Sequence, residues 1–146
     1  MGQGNKGRGK DESRDGPVLQ ASGGYADVWL FGESLQCFLA LATSTGDQDA
    51  LRASVNLPAY FQRFADKGPI ALTEKMFKKL GSAKDGNGNA VPVFEFKNYQ
   101  VRIYGVIREY RGKRAFIGTA CDPKKKQQKA DQAMIKRAAE QAGKVK

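Results

Sequence analysis

The sequence predicts an α+β fold, in which a helix pair packs on a small antiparallel sheet and a basic C-terminal helix closes the domain. The sheet expected is a three-stranded meander plus an N-terminal strand. Three observations carry this reading: apolar residues at helical spacing between residues 57 and 80, three alternating runs joined by short turns between 91 and 121, and an apolar stripe from Met134 to Ala142. With 146 residues, 40% apolar and 27% charged, the chain holds enough material for one core and a tail.

Residues 1–24 hold seven glycines, mixed charges and few apolar side chains, so they read as a disordered arm ahead of a single domain at 25–146. The Gly2-x-Gly4-x-x-Gly7 spelling within it has no preceding strand and no following helix, so it is not a dinucleotide fingerprint. Residues 25–31 (YADVWLF) have the aromatic and β-branched content of a first strand. The apolar run Leu35–Ala42 fits a short buried helix or a strand equally well.

Asp47–Ser54 is weakly helical, and Asn56-Leu57-Pro58 reads as a cap followed by a helix-starting proline. Leu57, Phe61 and Phe64 then recur at helical spacing up to Gly68. A second short helix is expected over Thr73–Leu80, with Thr73 as its cap, Phe77 and Leu80 inward, and Glu74 and Lys78 as an i, i+4 pair. A surface loop follows at Gly81–Ala90. Its Asp85-x-Asn87-x-Asn89 fails as a calcium loop, because Ala90 stands where glycine is needed and Phe96 where glutamate is.

The three strands are Val91–Lys97, Gln100–Arg108 and Arg114–Cys121. In the middle one, Val101, Ile103 and Ile107 share one face while Arg102, Tyr104 and Arg108 share the other, which reads as an open basic and aromatic surface. The last helix is expected to start at Asp122-Pro123 and run to Gly143, with Met134, Ile135, Ala138, Ala139 and Ala142 inward. Its first turn would be Lys124-Lys125-Lys126. Cations there oppose the helix dipole, so an anion is the physical reason to place them, and the turn reads as a phosphate site.

Charge narrows the function. The net charge of +10 is uneven: residues 1–24 carry +1, residues 25–67 carry −2 and residues 68–146 carry +11. A polyanionic partner follows, and nucleic acid is the first choice because no stretch approaches the ~20 apolar residues that span a bilayer. Met1 is followed by no apolar segment, so a cytoplasmic protein is expected. Cys37 and Cys121 could pair, but in a reducing compartment the favoured expectation is two small apolar thiols that stay reduced. Without histidine or a CxxC pair, no metal site and no cofactor are expected.

Residues 57–140 resemble the RelE/ParE toxin superfamily, in particular its phage-type host-inhibition branch. The resemblance is carried in order by LPAYFQRFADKG, EKMFKKL, VFEFKNYQVRIYGV and AFIGTACDPKKKQQKADQAMIKRAAE. It implies a type II toxin–antitoxin toxin that acts as a ribosome-dependent, metal-independent mRNA endonuclease and inhibits translation. The implied partners are mRNA, ribosomal RNA and a cognate antitoxin that covers the sheet face.

By the same resemblance Arg102 would hold the scissile phosphate, Tyr104 would stack on a base or move a proton, and Lys97 would assist at the strand end. Lys124, Lys125, Lys126, Lys129, Lys78, Lys79 and Arg108 would bind RNA phosphates. Glu95 reads as an ion-pair partner of a neighbouring lysine or arginine. Two other readings stay open: a gyrase-directed toxin of the same superfamily, and a double-stranded-RNA-binding module with its lysines across a groove. Relatives that cut RNA often carry a His, Asp or Tyr near the C-terminus, whereas this chain ends Gly143-Lys-Val-Lys.

Overall fold

A computed structural model describes residues 16–125 and 131–146. The elements in chain order are β1 (Val18–Ser22), β2 (Asp27–Leu30), α1 (Glu33–Leu41), α2 (Gln48–Lys67), a 3-10 turn (Pro69–Ala71), β3 (Phe77–Lys84), β4 (Ala90–Asn98), β5 (Val101–Tyr110), β6 (Lys113–Asp122) and α3 (Gln132–Ala142). The fold is α+β, but the sheet is not the small antiparallel one expected. It has six strands in the order β1-β2-β6-β5-β4-β3 and is mixed, because β2 runs parallel to β6 while every other pair is antiparallel. The parallel pair needs a long crossover, and the chain between β2 and the meander supplies it as α1 and α2.

The two faces have different covers. α1 and α2 pack on one, where Phe61 and Phe64 of α2 meet Phe77, Phe96 and Phe116 of the sheet in edge-on and tilted contacts at 5.0–6.2 Å between ring centroids. α3 packs on the other through Ile135, Ala138, Ala139 and Ala142 against Val93, Tyr104, Val106 and Ala120. Burial on both faces explains why β5 reads as a nearly continuous buried run rather than an alternating one.

Several local expectations change. Asp47–Ser54 and Leu57–Phe64 belong to one 20-residue helix, capped by Asp47, whose side chain accepts from the Ala50 amide at 3.0 Å. Pro58 sits inside that helix on its exposed side, so it is an interior residue and not the start. The stretch expected as a helix at Thr73–Leu80 is one turn, in which the Met76 and Phe77 amides both bond the Thr73 carbonyl, followed by β3. Phe77 is drawn into the phenylalanine cluster, and edge lysines keep that side of the sheet from pairing onward.

The sheet also begins earlier than expected, since β1 lies within residues 1–24 and pairs with β2. The last helix begins later: Asp131, accepting from the Ala133 and Met134 amides, caps α3, and Lys124 and Lys125 precede it in a turn. The Asp122-Pro123 signal is real but local, because the Asp122 carboxylate accepts from the Lys124 amide at 3.0 Å. Lys126 and Lys129 lie outside the described residues.

The expectation of two free thiols is overturned, as Cys37 of α1 and Cys121 of β6 form a disulfide across a sequence separation of 84. No helix among the described residues is long and apolar enough to cross a membrane. Asp85 closes the β3–β4 hairpin, because its carboxylate accepts from the Asn87 and Asn89 amides. Those bonds to the charged form, led by Asn89, hold it below its ordinary value.

Candidate polyanion site

Strand register builds the site. On the α3 side of the sheet, Lys78, Glu95 and Tyr104 lie opposite one another across β3, β4 and β5, and Lys97, Arg102 and Asp122 do so across β4, β5 and β6. Where β6 ends, the chain turns back so that the Lys125 amide donates to the Gln100 carbonyl at 2.8 Å. Lys125 is thereby buried beside the two rows. The structure brings together Lys78, Lys97, Arg102, Tyr104 and Lys125, which sequence reasoning selected separately, around Glu95.

This face is not the open surface expected, because α3 covers it. Arg102 is 6% exposed and Tyr104 is fully enclosed. The Arg102 guanidinium donates from Nη1 to the carbonyls of Tyr99 (2.6 Å) and Val101 (3.2 Å), and its Nε lies 3.8 Å from Glu95 Oε1. Arg102 therefore braces the β4–β5 hairpin and holds Glu95 in place. The Tyr104 hydroxyl is buried with no hydrogen-bond partner among the described residues. Burial, reinforced by the Glu95 charge, pushes this phenol above the ordinary tyrosine range.

Glu95 and Lys97 are displaced toward each other on the pH scale. Burial raises the Glu95 carboxyl above its ordinary value, against the opposing pull of Arg102, Lys97, Lys78 and Lys125. Burial also lowers the Lys97 ammonium, and repulsion by Lys78 and Arg102 adds to it. One carboxyl made a better base beside one ammonium made a better acid is an arrangement suited to moving protons. Lys78, Lys97, Arg102 and Lys125 outnumber Glu95 and Asp122, the two carboxylates of the same rows, and this excess of positive charge suits a phosphate.

The other selected residues fall elsewhere. Lys79 points to the opposite face, beside a cavity lined by Leu72, Phe77 and Phe94. Lys124 faces Asp47 at 3.8 Å. Arg108 lies toward the far end of β5, where its Nη1 donates to the Ala142 carbonyl at 3.4 Å and closes the C-terminus of α3.

Sequence reasoning missed the central place of Glu95 and missed Tyr99 altogether. Tyr99 occupies the β4–β5 turn with φ 55°, is half exposed, and has the Arg52 guanidinium 5.8 Å from its ring centroid. An aromatic residue in a left-handed turn position, where asparagine or glycine costs less, is the signal that could have found it. Compared with protein families, with curated proteins and with solved structures, the chain matches none.

Proposed function

We propose that this protein is an RNA-directed toxin that binds the phosphodiester chain at the Glu95 cluster and cuts it without a metal. The observation that carries the reading is the gathering of Lys78, Lys97 and Lys125 around a buried carboxyl raised by burial, next to a lysine lowered by it. This reading requires that RNA binding uncover Glu95, which is 3% exposed in the free protein; it then takes the proton of a ribose 2′-OH, whose oxygen bonds to the adjacent phosphorus. The bond from phosphorus to the 5′-oxygen breaks as Lys97 gives that oxygen a proton, leaving a 2′,3′-cyclic phosphate and a 5′-hydroxyl. Lys78 and Lys125 neutralise charge that builds on the phosphorane. Arg102 keeps Glu95 oriented, and Tyr99 offers its exposed ring to a base. The superfamily resemblance adds the ribosome as the setting and an antitoxin as the partner.

One observation favours a second reading. Arg102 is committed to two carbonyls and to Glu95, which suits a protein that binds nucleic acid, or inhibits gyrase, without cutting. Inducible expression in bacteria, with growth followed and RNA ends mapped, separates the two. Growth arrest with new cuts inside translated frames, both lost in Glu95→Gln, supports the nuclease. Arrest without cuts supports the second reading, and growth unaffected by wild type contradicts the toxin.

A further inference from the structure

We propose that the β5–β6 hairpin is a second RNA contact, at the end of the sheet away from the Glu95 cluster, in which Arg111 and Arg114 grip the phosphodiester chain. This rests on the RNA reading above and extends it to a surface which that reading does not use. Arg111 and Gly112 form a two-residue turn, with φ 55° and 81°. Asparagine would close such a turn at lower backbone cost, so the fold gives no reason for arginine at 111.

The Arg111 guanidinium lies 5.2 Å from the Trp29 ring centroid and 5.1 Å from that of Tyr110, and those two rings meet edge-on. Arg114 lies 4.1 Å from the Tyr25 ring centroid and donates to the Tyr25 carbonyl. A guanidinium resting on aromatic rings is fixed in plane while its N–H edges still point outward, which is the geometry that grips phosphate oxygens in pairs.

Neighbouring Lys113 shows the contrast. It is committed to Asp27 at 2.7 Å, whereas among the described residues no carboxylate pairs with Arg111 or Arg114. Arg111 stands nine residues along the chain from Arg102, ~30 Å at the rise of a strand, so a single RNA strand reaches both contacts only when it is long enough.

The test compares full-length wild type with Arg111→Gln/Arg114→Gln, using a long and a short labelled single-stranded RNA over a range of salt. On the long RNA, the slope of log affinity against log salt should fall by about 1.4, from two lost phosphate contacts. The short RNA should bind as before, and the melting temperature should fall by only a few degrees, from the lost stacking of two exposed side chains. An unchanged slope on long RNA overturns the proposal while leaving the Glu95 site intact. The same result with lost binding to poly-glutamate assigns the hairpin to an acidic polypeptide and also overturns it. A wild-type protein that binds neither RNA overturns this proposal and the functional reading together.

Discussion

Replacing Tyr104 by phenylalanine should make the protein more stable. The ring is fully enclosed on the α3 side of the sheet, and phenylalanine keeps every apolar contact of it. The hydroxyl has no partner among the described residues, and burying an unbonded hydroxyl costs about 1–3 kcal/mol in proteins. Taking the low end, removal should stabilise by ~1 kcal/mol. At a urea dependence of roughly 1–3 kcal/mol per molar, the unfolding midpoint should rise by ~0.5 M with the slope unchanged. A thermal scan should show a gain of ~3 °C. The phenol is also pushed above the ordinary tyrosine range, so it is a poor proton donor at neutral pH, and under the proposed function RNA cleavage should persist in the variant. Destabilisation by 1 kcal/mol or more would show that the hydroxyl has a partner, and lost cleavage with intact folding would show that it takes part in the reaction.

Three further outcomes follow from the geometry. Cys37→Ser should destabilise by about 4.5 kcal/mol on the chain-entropy account of a link between residues 84 apart in sequence, read by urea unfolding against wild type without reductant; equal midpoints would contradict it. Gly105→Ala should cost about 3 kcal/mol, because the added carbon would meet the Ile117 carbonyl oxygen and the Gly118 Cα, backbone atoms that cannot swing aside; a midpoint within error of wild type would mean that the β5–β6 register is different. Glu95 has a folded pKa raised above its unfolded one, so its contribution is fully present below the unfolded pKa and declines as pH rises through the folded value. Stability of wild type relative to Glu95→Gln should therefore fall as pH rises out of the ordinary carboxylate range, and a difference that grows with pH would reverse the sign of the argument.

The meander was the most legible part of the chain. Its three strands lie within two residues of where alternation and turn chemistry put them, and the division of β5 into an Ile103 face and a Tyr104 face holds. What alternation could not say is that both faces are covered, so Tyr104 looked open when α3 lies over it, and Arg102 looked free when it is buried and bonded to the Tyr99 and Val101 carbonyls. Phe77 and Leu80 fit a helical stripe as readily as a strand, because the register shift between Lys79 and Gly81 breaks the period of two. The parallel pairing of β2 with β6 and the Cys37–Cys121 link join residues far apart in sequence, where local pattern carries no signal. At the C-terminal end, Asp122 looks like the cap in the sequence, but the Lys125 amide is bonded to Gln100, away from any helix, and Asp131 caps α3 instead. The site was legible as single cations and not as a cluster, since the cross-strand rows that gather them around Glu95 exist only once register is known.

The central claim is that Lys78, Lys97 and Lys125 together bind RNA phosphates. The most direct measurement is the salt dependence of single-stranded RNA affinity for wild type and for Lys78→Gln/Lys97→Gln/Lys125→Gln, with unfolding midpoints confirming that both are native. Three lost contacts should flatten the log–log slope by about 2. A folded triple variant with the wild-type slope would contradict the account.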